Sequence, residues 1–117
     1  MRPELKLLYS PDAEIRNYAP EDPERFCLFV EAFIGPTGSA GMESFHVSVC
    51  SPLWLADFVR ENGPIFGFHH IIMEYFDEAQ LRNKVSAYCQ ACSGNSWDEI
   101  AMKLNLMGRW EFYEYKP

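Results

Sequence analysis

Phe26-Cys-Leu-Phe-Val-Glu-Ala-Phe-Ile34, then Gly35-Pro-Thr-Gly-Ser-Ala-Gly41, then Ser44-Phe-His-Val-Ser-Val-Cys50, is the stretch that decides the fold. In the first run every even position, Phe26, Leu28, Val30, Ala32 and Ile34, is apolar; in the last, Phe45, Val47 and Val49 form one face. Two runs of period two around a turn-forming loop predict a β-hairpin. Paired residues of an antiparallel ladder share a face, so bringing the two apolar sets together requires paired residue numbers with an odd sum. A slip of one residue would send three core residues into water. The opposite face then carries Cys27, Phe29, Glu31 and Phe33 beside Ser44, His46, Ser48 and Cys50.

Outward from the hairpin, residues 1–10 suit a short strand, with Leu5, Leu7 and Tyr9 alternating against Glu4, Lys6 and Leu8, and Ser10-Pro-Asp12 ends it. Asp12 to Glu24 holds five acids, Asp12, Glu14, Glu21, Asp22 and Glu24, against Arg16, with prolines at 11, 20 and 23. That composition predicts a surface loop with at most a helical turn. Ser51-Pro52 opens a helix with the apolar stripe Trp54, Leu55, Phe58 and Val59, which Asn62-Gly63 closes. Ile65 to Phe76 reads as a strand. Asp77-Glu-Ala-Gln80 caps a helix carrying Leu81, Val85, Tyr88, Cys89 and Cys92, and Ser96-Trp-Asp-Glu99 caps a shorter one carrying Trp97, Ile100, Ala101 and Leu104. The aromatic tail Arg109 to Tyr115 suits a last strand or a segment over the core. Strands outnumber what helices could link in parallel, so the order predicts an α+β domain, an antiparallel sheet with helices packed on one face.

At 117 residues and 13.6 kDa the chain buries about two-thirds of its unfolded surface, which fits a single domain over residues 1–117. Seventeen acidic against ten basic residues leave a net charge of −7. Such a surface repels phosphate backbones and anionic lipid, so nucleic acid and membranes are poor partners and a basic protein is a good one. The charged amino terminus lacks a signal peptide's apolar stretch and no run approaches a membrane span, which predicts a cytoplasmic protein with reduced, mostly buried cysteines.

The chemical constellations mostly fail on geometry. Cys89-Gln-Ala-Cys92 has redox spacing but ends a helix, where the dipole disfavours thiolate. His46 and Cys50 lie about 13 Å apart along one strand and His69 and His70 point to opposite faces, so no metal site is expected. Gly35, Gly38 and Gly41 match no phosphate-loop pattern and no cofactor is called for. A cysteine-dependent hydrolase or thiol enzyme using Cys50 with His46 or His70 is the alternative function, without a local nucleophile signature or oxyanion loop. The residues therefore favour a protein that is not an enzyme.

Glu31 stands out as a carboxylate in an otherwise apolar strand. Phe29 and Phe33 flank it on its own face and His46 lies on the neighbouring strand; a solvated face is the simpler reading for the glutamate alone, an aromatic patch around a charge suits an interaction surface, and the carboxy-terminal tail covering the face is the other alternative. The five loop acids, Asp12, Glu14, Glu21, Asp22 and Glu24, read first as a solvated loop, the usual role of a charge run, and second as a charged rim beside that patch.

The chain resembles the immunity protein 8 family of bacterial polymorphic toxin systems. The resemblance rests on "LKLLYSPD" (5–12), "PEDPERF" (20–26), "FIGPTGSAGMESFHVSVCSPLWL" (33–55), "GPIFGFHHIIMEY" (63–75) and "GNSWDEIAMKLNLMGRWEFYEY" (94–115). Ser-Pro-x-Trp-Leu at 51–55 and Gly-Arg-Trp-Glu-Phe at 108–112 are its most distinctive parts. It implies a protein encoded beside a toxin gene that neutralises the cognate toxin by binding it, and it implies no catalytic residue. The acidic balance suits a basic toxin such as a nuclease.

Overall fold

In the computed structural model, which describes residues 1–114, strands β2 (Cys27–Pro36) and β3 (Glu43–Cys50) form the hairpin. Leu28 faces Val49, Val30 faces Val47 and Ala32 faces Phe45, the odd-sum register that the alternation requires, and all six are buried. The end of β2 needs glycine at position 35: a Cβ there would stand 1.8 Å from the carbonyl oxygen of Gly41 in the following loop.

Strand β1 (Pro3–Tyr9) adds antiparallel to the outer edge of β2. It departs from simple alternation. Leu5 pairs with Ile34, yet Leu7 pairs with Phe33 and Tyr9 with Glu31, so Lys6 is an extra residue that shifts the register. The bulge reverses the faces beyond it. Leu8 enters the core at 6% exposure, while Leu7 and Tyr9, expected on Leu5's face, come out beside Phe33 and Glu31 at 44% and 49%.

The far edge of β3 is shared by two short strands. β4 (His70–Ile72) runs parallel to it at Ser48–Cys50, and β5 (Arg109–Trp110) runs antiparallel at Phe45–His46. The sheet is thus antiparallel apart from one three-residue parallel pairing. The long strand expected over Ile65–Phe76 shrinks to β4. A turn at Phe68 and His69, the latter at φ 60, breaks the extended chain just before it, and β3 ends at Cys50, opposite Ile72. The tail forms β5 and then a turn; Tyr115 lies outside the described residues.

Helix α1 (Pro52–Asn62) starts as expected, with the Ser51 hydroxyl accepting from the amides of Trp54 and Phe26, both at 3.2 Å. Its stripe of Trp54, Leu55, Phe58 and Val59 is half-buried and stands outside the main core, with Trp54 stacked on Phe58. Helices α2 (Glu78–Gln90) and α3 (Trp97–Leu104) begin at Asp77 and Ser96, whose side chains accept from the amides of Gln80 and Glu99. Leu81, Val85 and Cys89 of α2 and Ile100, Ala101 and Leu104 of α3 complete the core over Val30, Ala32, Phe45 and Val47. Trp97 and Trp110 both donate their indole N–H to one oxygen of Glu43, at 2.6 and 2.8 Å, which fastens α3 and β5 to the start of β3. The short loop 12–24 contains a single 3-10 turn at Ile15–Asn17.

Candidate functional site

The sheet face turned away from the core gathers the side chains that sequence reading placed there. Glu31 and His46 are directly paired, with His46 Nε2 3.6 Å from Glu31 Oε1. The Phe29 ring meets the His46 ring edge-on at 5.4 Å, and Phe33 stands opposite Ser44. Glu31 and His46 keep 24% and 34% of their side-chain surface, so the pair is reachable by a partner while resting against its neighbours. The bulge in β1 extends this patch with Leu7 and Tyr9. Sequence reading missed both; the Leu7-Leu8 doublet, which breaks the polar–apolar alternation, is the signal that could have found them.

A polar network crosses the patch toward β5. The Ser44 hydroxyl lies 3.0 Å from His46 Nε2 and donates to Glu111 Oε2 at 3.0 Å, while the Ser44 amide donates to Glu111 Oε1. A serine relay needs the hydroxyl to donate to the imidazole and the acid to hold the other ring nitrogen. Here Glu31 and Ser44 face the same nitrogen, and the serine proton is committed to Glu111. The network ties the residues after β5 to β3 instead of activating Ser44.

The loop acids are all exposed, and their neighbours divide them into two groups. Asp12 and Glu14 line a shallow cleft shared with Arg16, Glu78 and Arg82 on the α2 side. Asp22 contacts Arg25 at 3.5 Å, and Arg25 bonds Asp57 of α1 at 3.1 Å, so Asp22 and Glu24 lie toward α1, where Glu24 is near enough to push the Tyr75 phenol upward. Glu21 belongs to this second half of the loop.

The cysteines are free thiols. Cys50 is fully buried, and desolvation, helped by Cys27, pushes it up to about 11; Cys89, desolvated and beside Cys92, is pushed up to about 12. A buried thiol held protonated is a poor nucleophile, which leaves the cysteine-enzyme alternative unsupported. Among the described residues no three His, Cys, Asp or Glu side chains converge on a metal position, and no helix is long and apolar enough to cross a membrane.

Sequence reading also missed an apolar edge at the other end of the sheet. Phe66 and Phe68, assigned to a strand, stack on each other at 5.8 Å and remain 84% and 71% exposed, beside exposed Ile72 and Leu106. Gly67 between the two rings was the available hint.

These features define a small α+β protein whose distinctive surfaces are an aromatic and charged sheet face and an exposed apolar sheet edge. The family is specific: the chain belongs to the immunity protein 8 family, whose model matches residues 3–115. No curated protein and no solved structure matches it.

Proposed function

We propose that this chain neutralises a cognate toxin by stoichiometric binding, without catalysis or cofactor, and that the sheet face around Phe29, Glu31, Phe33 and His46 is the centre of the contact. The observation that carries the proposal is the convergence on that face of Leu7, Tyr9, Phe29 and Phe33 around one carboxylate–imidazole pair. Apolar anchors around a few polar groups are how protein interfaces concentrate their energy. Membership of an immunity-protein family supplies the partner class. The −7 charge suits a basic toxin, such as a nuclease, met in the cytoplasm. The exposed acids Asp12, Glu14, Glu21, Asp22 and Glu24 steer its approach from two sides of the loop.

The test is titration of the toxin domain encoded beside this chain. Toxin activity should fall in proportion to added protein and vanish at a fixed molar ratio, with an association rate that drops steeply as salt rises while dissociation changes less. Protection by a small fraction of an equivalent, as a turning-over enzyme would give, would overturn inhibition by binding.

A further inference from the structure

We propose that the free edge of β4, with the groove beneath it, receives an extended apolar segment of the cognate toxin as an added strand. This rests on the neutralisation reading above and assigns a second point of contact. In the parallel ladder with β3, the His69 carbonyl accepts from Ser48 N–H at 2.9 Å and Met73 N–H donates to the Cys50 carbonyl at 3.0 Å. Ladder bonding alternates, so residues 69, 71 and 73 face β3 while His70 and Ile72 turn their N–H and C=O groups outward. Among the described residues β4 ends the sheet on that side. The edge therefore offers donors and acceptors in strand spacing.

Below it, between β4 and α2, runs a groove of about 590 Å³ whose floor includes Ile71, Leu81, Val85 and Met107. Phe68, Ile72 and Leu106 stand along its margin at 71%, 53% and 76% exposure. An apolar cleft under an open strand edge is the geometry of strand addition, in which backbone bonds give affinity and alternate side chains fill pockets. Native sheets blunt such edges with shortness, charge, proline, a bulge or a covering loop, and β1 is interrupted by its bulge. β4 is short, at three residues, but it carries no proline, lysine or carboxylate, and its approach is lined with exposed aromatics.

Charge selects the occupant. The groove is lined by Lys84, His69 and His70 and by no carboxylate among the described residues, in a chain of net charge −7. A second copy would bring another −7, which is unfavourable. A toxin segment with apolar side chains and one carboxylate within reach of Lys84 avoids that repulsion and complements the groove. The edge also adjoins the proposed contact face, because Phe29, Ser48 and His70 lie in one row across β2, β3 and β4, while the groove opens on the opposite face, beside α2.

The test uses the full chain and the catalytically inactivated toxin domain encoded beside it. On complex formation the amides of His70 and Ile72 should gain at least about tenfold protection from hydrogen exchange. The pair Phe68→Ser and Lys84→Glu, at exposed positions that leave folding intact, should weaken binding at least about tenfold. Ile72→Pro should do the same by removing an outward N–H, because no ladder bond is lost with it. Unchanged exchange at both amides, or wild-type affinity in the Phe68→Ser, Lys84→Glu variant, would overturn strand addition while leaving neutralisation intact. Failure of the unmodified chain to bind the toxin would overturn both. Protection of the same amides without toxin, with a doubled mass in sedimentation, would assign the edge to a second copy and overturn the proposal.

Discussion

Residues 26–50 and residues 65–76 carry similar strand-forming compositions, yet the first becomes two long paired strands and the second contributes only His70–Ile72. The hairpin's partner is local: a short loop brings each run against the other, and both apolar faces are covered by α2 and α3. Residues 65–76 must pair at a distance, with a β3 edge that β5 already shares, and the turn at Phe68 and His69 redirects the chain before the pairing begins. Strand propensity is thus realised where a partner is available, and where it is not, the same apolar residues become surface.

Paired substitutions sharpen that contrast. Phe45→Ala removes a fully buried ring from the hairpin and should cost about 3–5 kcal/mol in denaturant unfolding. Phe66→Ala, at 84% exposure, should stay within about 0.5 kcal/mol. Comparable losses at the two positions would show that the exposed edge is part of the folding core.

A smaller effect is expected where the end of β2 meets the hairpin loop. Gly35→Ala sets a methyl group against the Gly41 backbone and should cost about 1–3 kcal/mol, whereas Gly67→Ala, whose Cβ meets nothing within 4 Å, should be nearly neutral. Equal unfolding midpoints for the two variants would contradict the close approach at Gly35.

The thiols give the mildest contrast, through pH. Cys50 and Cys89 are held near 11 and 12 in the folded chain, above the ordinary range near 8.5 that applies once they unfold. The unfolded state therefore releases protons first as pH rises, so their contribution is fully present below about pH 8.5 and declines above it, toward 11 and 12. Urea unfolding of the parent between pH 7 and 10, compared with Cys50→Ala and Cys89→Ala, should show a steeper loss in the parent above pH 8.5. Parallel profiles would show that neither thiol is shielded.

How much of this was legible in the sequence depends on whether a side chain's neighbour could be named locally. The parity of the β2–β3 register, an odd sum of paired residue numbers, followed from alternation alone, and the caps at Ser51, Asp77 and Ser96 followed from short-range hydrogen-bond chemistry. Glu31, Phe29, Phe33 and His46 were placed together for the same reason. The loss came where one residue changed the phase or the partner. Lys6 inverts the end of β1, moving Leu7 and Tyr9 to the candidate face, and the left-handed turn at His69 leaves Phe66 and Phe68 outside the sheet. Glu111 reaches Ser44 across 67 residues, a contact that no local pattern encodes. The loop acids show the same limit from another side: their order in sequence left open a solvated loop or a charged rim, and their neighbours come from distant elements, Glu78 and Arg82 of α2 beside Asp12 and Glu14, and Arg25 with Asp57 of α1 beside Asp22.

The decisive measurement is the affinity of two purified, folded charge variants for the toxin domain encoded beside this chain. Glu31→Lys reverses the charge at the centre of the aromatic face, while Glu78→Lys makes an equal charge change on α2, where Glu78 pairs with Arg82 at 2.9 Å. Removing one partner of a hydrogen-bonded interface charge pair typically costs about 2–5 kcal/mol, against a few tenths for a helix-surface pair. If the sheet face binds the toxin, Glu31→Lys should weaken the complex by about 30-fold or more and Glu78→Lys by less than about threefold. Equal affinities for the two variants would contradict binding through that face.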